Sequence, residues 1–375
     1  MRLQLTVSGA IAALGAVGAL GATARADGEL VARTAYYKER ATRVIQPMLD
    51  GMFDIAERGT VTAHFLVDAI TSASTSSGAA NAKAFSEKRY EAGFGYTHQL
   101  ASLKVGGDAK YSTESDYDSF YLGLRGQLEL AQKNAVLGAG AGVSLDSVST
   151  TMAGGFAGGT LQCDPHKATD THDACSLDTY SGFASFSQIL GRNAIAAVTY
   201  DVSSMRGYQS NPYRTVITAA KLVAERHPDR RLRQAVGISA RYYVPATETT
   251  LVGAYRYYRD DWHVRAHTPE LRIIQQVGQF ADAAFRYRYY AQSAAYFYLD
   301  KYPDDTSEYV SDDAKLSQFT GHTLEAKLGI YGEEFGLSGI WGGARFEGLL
   351  EYEVQNNRFG NAVIAHVALT VPFTY

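Results

Sequence analysis

Long hydrophobic runs are what this chain most plainly lacks. Past its first two dozen residues no segment supplies the roughly 20 consecutive apolar residues that a spanning helix needs. Mean hydropathy is −0.18, so the body of the chain is not a helical membrane protein. Cysteine is almost absent: only Cys163 and Cys175 occur, without the Cys-x-x-Cys-His arrangement that attaches a c-type haem. Basic charge is not in excess either. The formal net charge is −4 and the pI is near 6.2. No basic stripe stands out, so nucleic acid is not an expected partner. Proline is scarce, at 8 residues, and nothing marks off a second domain. There is no Gly-x-Ser-x-Gly and no helix-borne pair of metal ligands. The sequence therefore calls for no cofactor and no metal, and an enzyme is not the expectation.

What is abundant points elsewhere. The chain has 26 Tyr, 16 Phe and 36 Gly. Tyrosine and glycine at middling hydropathy suit an outer-membrane barrel, whose alternate residues face lipid and whose rims carry aromatics. A soluble sandwich could share that composition. The N-terminus adds location. Arg2, an apolar run from Leu5 to Leu20, and Ala24-Arg25-Ala26 read as a secretory signal on residues 1–26, cleaved after Ala26. The alternative, a retained anchor, needs a longer apolar run. No cysteine follows the cleavage site, so no lipoprotein anchor is expected. In an exported chain, Cys163 and Cys175 are expected to form one disulfide.

Residues 27–375 then read as one all-β domain. Val363, Ala365, Val367, Leu369, Val371, Phe373 and Tyr375 form one apolar face, with His366, Thr370 and Thr374 on the other. The same period of two recurs at Tyr90–Tyr96, Phe120–Leu130, Leu137–Leu145, Ala196–Val202, Phe285–Tyr289 and Ala344–Val354. Such segments of about 10–14 residues cross a bilayer when tilted. Charges on their polar faces suit a watery lumen. Short connections (Glu57-Arg58-Gly59, Gln99-Leu100, Gln132-Lys133, Gly191-Arg192, Thr247-Glu248) alternate with long ones at 71–84, 148–178, 205–233 and 299–317. The expectation is a transmembrane antiparallel up-and-down β-barrel of about 16 strands, with short periplasmic turns and long extracellular loops. It would sit in the outer membrane of a Gram-negative bacterium, contact outer-membrane lipid, and reach it through the barrel-assembly machinery acting on the C-terminal strand. The run 263–278 breaks the alternation, residues 30–50 are the least regular, and 215–226 reads as a short helix or a hairpin. No sequence patch compels an oligomer.

Several segments carry a resemblance: Asp68-Ala-Ile-Thr-Ser-Ala-Ser74, Tyr213-Arg214, Glu225-Arg-His-Pro-Asp-Arg230, Tyr255-Arg-Tyr-Tyr-Arg-Asp-Asp-Trp262 and Tyr287-Arg-Tyr-Tyr-Ala-Gln-Ser-Ala-Ala-Tyr-Phe-Tyr298. Over most of the mature chain the sequence resembles a bacterial family catalogued as a domain of unknown function, number three-five-seven-zero. The resemblance implies an outer-membrane barrel and no established activity or catalytic residues. The insert around Cys163 and Cys175 departs from the family pattern.

Four constellations are candidates for function. Arg241, Arg256, Arg286 and Arg288, with Arg272 less regular, fall on polar faces, and Glu325, Glu347, Glu351 and Glu353 follow on later strands. Either they form opposed walls with a field across the lumen, or they pair and stiffen one wall. Near a strand end, Tyr257, Tyr258 and Trp262 read as an interfacial girdle with Arg259 on lipid phosphates. Phe373 and Tyr375 supply the girdle at the C-terminus. The alternative is cation binding by Asp260 and Asp261. His166 and His172 lie inside the disulfide loop, where a solvated loop is the simpler reading than a metal site. His64, Asp68 and His366 share inner faces without a marked nucleophile. The leading function is a porin-like pore for small polar, including anionic, solutes, with an Arg/Tyr-lined lumen. The alternatives are an occluded scaffold barrel docking an exported partner and, third, a lipid-modifying enzyme.

Overall fold

The computed structural model describes residues 28–374, apart from residues 41, 56–57, 73–84, 151–159, 168, 280 and 305. Residues 1–26, expected from the sequence to be a signal, Tyr375 and most of the connection 71–84 lie outside the described residues. Sixteen antiparallel strands close into one barrel. The first seven are β1 (Gly28–Lys38), β2 (Thr42–Ile55), β3 (Gly59–Ser72), β4 (Phe85–Leu100), β5 (Leu103–Thr113), β6 (Tyr117–Leu130) and β7 (Ala135–Ser149). A two-residue ladder, β8 (Leu161–Gln162) with β9 (Thr171–His172), branches off before β10 (Ala174–Gly191) and β11 (Ala194–Gly207). A second small hairpin, β12 (Thr215–Ile217) with β13 (Leu222–Ala224), occupies the region that the sequence left between helix and hairpin. The barrel continues through β14 (Arg230–Val244), β15 (Thr249–Asp260), β16 (Arg265–Val277), β17 (Ala281–Gln292), β18 (Phe319–Tyr331), β19 (Arg345–Gln355) and β20 (Ala362–Phe373). β1 pairs with β20 from Gly28↔Phe373 to Lys38↔Val363. Closure leaves no strand edge with unpaired backbone, as a lipid environment requires.

Register keeps each face continuous around the wall. Phe186, Val198, Ile238 and Tyr255 stand side by side on four strands. Arg286, Glu325 and Glu351 do so on three others. The first set belongs to an outer surface of exposed large apolar side chains, among them Phe94, Leu124, Ile238 and Val367. An apolar surface this continuous is unfavourable in water and natural in lipid.

Two proline sites explain where the alternation is hard to read. The segment 263–278 is a regular strand after all, but β16–β17 pairing skips Thr268 and Pro269. In the same way β2–β3 pairing skips Gln46 and Pro47. Proline has no N–H for the ladder, so pairing opens locally while the register is kept.

The connections separate into two ends. Both termini and the turns after β2, β4, β6, β10, β14 and β16 share one, the turn end. Left-handed residues such as Ala101, Glu248 and Gly278 close turns there. One connection at this end, which the sequence reading did not single out, is longer than the other turns. Residues 332–344 hold two 3-10 turns, Gly332–Phe335 and Gly339–Trp341. A Cβ on Gly332 would lie 1.9 Å from the Trp341 carbonyl oxygen, so only glycine allows this approach. The opposite, loop end carries connections 150–173, 208–229 and 293–318.

Candidate functional site

The inner wall has a charged sector on β16–β19. Arg286 lies at its centre, 2.5 Å from Glu325, in closer contact with Glu351, and 3.6 Å from Glu270. Arg288 reaches Thr323 at 3.1 Å and Glu351 at 3.9 Å. Lys327 and Arg345 share Glu347 at 2.5 and 3.1 Å, and Arg345 also holds Asp282 at 2.7 Å. Opposed walls are thus not what forms. Register places Arg286, Glu325 and Glu351 on adjacent strands, where unlike charges meet directly. Arg272, uncertain from sequence, is inward and 3.4 Å from Glu270. Glu353 continues the inward row on β19. Arg241 and Arg256 lie inward on β14 and β15, away from this cluster. Arg256 reaches Asp201 at 3.8 Å diagonally across β14.

A second charged sector, on β1–β6, was only glimpsed in the sequence. Asp50 binds both Arg33 and His64 Nδ1, the latter at 2.5 Å. Arg89 pairs with Asp68 at 2.7 Å and Arg125 with Asp108 at 2.5 Å. His64 is therefore engaged by Asp50 and not by Asp68. Beside the second sector, on β7 and β10, the inner wall carries mostly small and uncharged side chains. Gly138, Gly140, Gly142 and Ser144 on β7 face inward beside Ser181, Phe183 and Ser185 on β10. The glycines make room for rings lying flat: a Cβ on Gly142 would come 2.6 Å from the Tyr121 hydroxyl, and one on Gly140 would come 2.4 Å from Phe183.

The loop end is capped. Connections 208–229 and 293–318 fold together around a buried polar cluster. Arg214 holds Glu225 at 3.2 Å and Asp313 at 3.0 Å. The Ser311 hydroxyl donates to Glu225 at 2.7 Å, and His227 Nε2 meets Ser311 at 3.0 Å and Glu225 at 3.3 Å. His227 Nδ1 meets the Gln209 carbonyl at 3.0 Å. Burial pushes the Glu225 carboxyl up, but the charges of His227 and Arg214 outweigh it and hold it well below the usual carboxylate range. Burial likewise pulls Lys315 down. Apolar packing surrounds the cluster: Trp262, Val264, Ala295, Phe297 and Leu316 form one core, and Val216, Tyr302 and Val310 another. The cap is seated on inward strand residues. Tyr258 donates to Asp260 at 2.8 Å, Asp260 holds Arg231 at 2.5 Å, and Gln292 donates to the Lys315 and Ser317 carbonyls at 2.8 and 2.6 Å. The disulfide Cys163–Cys175 packs with Val148 and Leu161. Its loop joins the cap through His166, 3.1 Å from Glu308. His172 instead pairs with Asp170 at 3.0 Å, so the two histidines serve different carboxylates.

This arrangement corrects part of the aromatic girdle. Trp262 is 1% exposed, its indole N–H donating to the Arg230 carbonyl at 2.8 Å and its ring under Arg231 at 4.1 Å. Tyr258 faces inward beside it. The turn after Asp260 folds over the barrel mouth instead of along its outside, which carries Trp262 into the cap. Asp260 and Asp261 do not form a cation site, because Asp260 is occupied by Arg231. Tyr257 does point outward, with its ring 5.2 Å from His267. Outward Tyr–His pairs are what sequence reasoning missed: Tyr255 with His267 at 2.6 Å and Tyr287 with His322 at 2.8 Å. Their signal was the spacing of histidines on apolar faces. At the turn end, Phe373 packs on Phe53 with ring centroids 5.7 Å apart.

A closed sixteen-strand barrel, apolar outside, charged inside and capped by its long loops, is of the outer-membrane class. The family model described as "Protein of unknown function (DUF3570)" matches residues 81–362, and the chain belongs to that family. Of the segments that carry the resemblance, Arg214, Glu225, His227 and Trp262 meet in the cap. A search of the curated proteins finds no match. Among solved structures, one described as a bacterial polysaccharide outer membrane secretin superposes with a TM-score of 0.55 at 8% identity, over 94% of this chain and 100% of that one. OprD from Pseudomonas aeruginosa gives a TM-score of 0.45 at 8% identity, over 95% and 97%. At such identity the likeness is one of fold.

Proposed function

We infer that the protein is a pore of the Gram-negative outer membrane that passes small polar solutes. The observation that carries this reading is the exposure of inward charges on the wall below the cap. Arg256 and Asp201 are each 52% exposed although both face the barrel interior. Water must therefore reach the wall there, and a barrel of sixteen strands is wide enough for it. Paired charges along β16–β19 and β1–β6 favour polar solutes without a strong net sign, while Arg241 and Arg256 offer donors to an anionic group. The cap restricts the loop-end mouth. The long loops are taken to face outward, the signal segment to direct export, and β20, ending on Phe373, to engage the assembly machinery.

The test is conductance of folded protein in a planar bilayer. Ohmic current, with ion selectivity moved by Arg286→Gln together with Arg288→Gln, supports the pore. Absence of current, with the cap intact by protease protection, favours the second reading: a sealed barrel whose folded cap docks an exported partner. The buried cluster around Glu225 is the observation on that side.

A further inference from the structure

The outer surface carries a row of arginines on four successive strands. Arg206, Arg230, Arg259 and Arg265 lie on β11, β14, β15 and β16 at the loop end. Each shares a face with an exposed apolar residue of its own strand: Val198, Ile238, Tyr255 and Leu271. They are neighbours in register, Arg206 beside Arg230 and Arg259 beside Arg265. Arg259 donates to Gln234 at 3.1 Å, and among the described residues none of the four has a carboxylate within ion-pair distance. Asp178, the register partner of Arg206, offsets part of the charge. Inward arginines such as Arg231 and Arg286 are by contrast matched to carboxylates. An arginine row left open on the outside of a bilayer-spanning wall is arranged for anions at the membrane surface.

Below the row, on the same strands, is a second feature. A shallow groove of about 640 Å³ runs over β10, β11, β14 and β15. Its floor is Ala196, Ala240 and Gly253, and its ridge is Phe186, Ile238 and Tyr255. Tyr255, held to His267, stands between arginines and groove. Arg259 stands four positions from Tyr255, about 13 Å along the strand, whereas Arg206 and Arg230 stand eight positions, about 26 Å, from Val198 and Ile238. The nearer distance is within the length of one acyl chain, and the farther pair is left for a second phosphate of the head group. We propose that this sector is a docking site for a phosphorylated glycolipid of the leaflet at the loop end. Arg206, Arg230, Arg259 and Arg265 hold the head-group phosphates, and the groove takes an acyl chain. Guanidinium forks match phosphate oxygens in pairs, and small floor residues let the chain lie against the backbone. The site depends on the barrel spanning a bilayer and not on the pore reading, since conductance and lipid retention are separate measurements.

The experiment is native mass spectrometry of the folded full-length barrel. The protein is released from mixed micelles containing equal amounts of diphosphorylated lipid A and its dephosphorylated counterpart. The wild type is expected to retain the phosphorylated form preferentially. Changing Arg206, Arg230, Arg259 and Arg265 together to Gln is expected to lower that retention by about tenfold. Gly253→Trp, at a position where an added Cβ meets nothing within 4 Å, fills the groove and is expected to lower retention of both lipids. If the fourfold variant does not fold, the single arginine changes and Gly253→Trp carry the test. No preference in the wild type, or unchanged retention in the folded variants, overturns the proposal. Complete displacement of the lipid by millimolar inorganic phosphate also overturns it, because a loose anion patch would behave that way.

Discussion

The cap and the lumen wall are both built from ion pairs, yet they sit in different media. In the cap, the side chains of Glu225, Arg214 and Asp313 are 0, 6 and 2% exposed. On the wall, Arg33 and Asp50 are 34 and 26% exposed, and Arg256 and Asp201 half exposed. Breaking a buried pair leaves an uncompensated charge and costs about 3–5 kcal/mol, whereas a water-screened pair contributes about 0–1 kcal/mol. The same chemistry therefore fixes structure at the mouth and leaves the wall's charges accessible to water. The charged cluster at Arg286 lies between these extremes.

The largest effect is expected from Glu225→Gln. It leaves His227 and Arg214 facing a neutral amide in a dry site, so the cap should lose roughly 3–5 kcal/mol of local stability. Hydrogen exchange over residues 208–229 and 293–318 would rise while the barrel strands stay protected. Unchanged exchange would mean that the apolar cores alone hold the cap. Acid tests the same cluster. The folded Glu225 carboxyl is held below its ordinary value of 4.5, so its contribution is complete above that value and is lost as pH falls through the depressed one. Cap protection should be flat with respect to this group near neutrality and decline below pH 4.5. A loss that begins near neutrality would point to another group.

Next in size is the disulfide. Replacing Cys163 and Cys175 by Ser opens a loop with a sequence separation of 12, and the chain-entropy account gives about 3 kcal/mol. The effect should stay local, in the exchange of residues 160–175 and of the contact between His166 and Glu308. Global unfolding on reduction would show that the insert stabilises the barrel itself.

On the wall the change should appear in selectivity before stability. Arg286→Gln leaves Glu325, Glu351 and Glu270 without their shared cation. If the lumen conducts, the reversal potential in a salt gradient shifts toward cations, by an amount that shrinks at high salt. A shift independent of salt would place the cluster out of reach of the solution.

The sequence made the wall legible and the cap much less so, for a physical reason. A strand's side-chain period is two whatever its neighbours do, so Arg286, Arg288, Glu325 and Glu351 could be assigned to the inner face from spacing alone. Which of them touch depends on register, and there opposed walls gave way to direct pairing. β16 looked irregular only because Pro269 interrupts its ladder. The cap has no period. Glu225, His227, Trp262, Ser311 and Asp313 come from three connections, and only tertiary folding brings them together. Trp262 resembled a lipid-facing anchor because tryptophan next to Asp and Arg has the same composition at a membrane rim as in a buried polar core.

The smallest expected effect sharpens the comparison most. Arg256 and Asp201 meet at 3.8 Å across β14, both half exposed. If water fills the lumen at that height, Arg256→Gln should change the stability of the folded barrel by less than about 1 kcal/mol. Urea unfolding in lipid vesicles, followed by tryptophan fluorescence, would measure it. The same variant removes one of the positive charges of β15 from a conducting path, so a small cation-ward shift in reversal potential should accompany unchanged unfolding. A destabilisation of several kcal/mol with no electrical change would reverse the assignment, because only a dry interior makes that pair so costly to break. The wall at Gly237 would then belong to the same medium as the cap, and the pore reading would lose the observation that carries it.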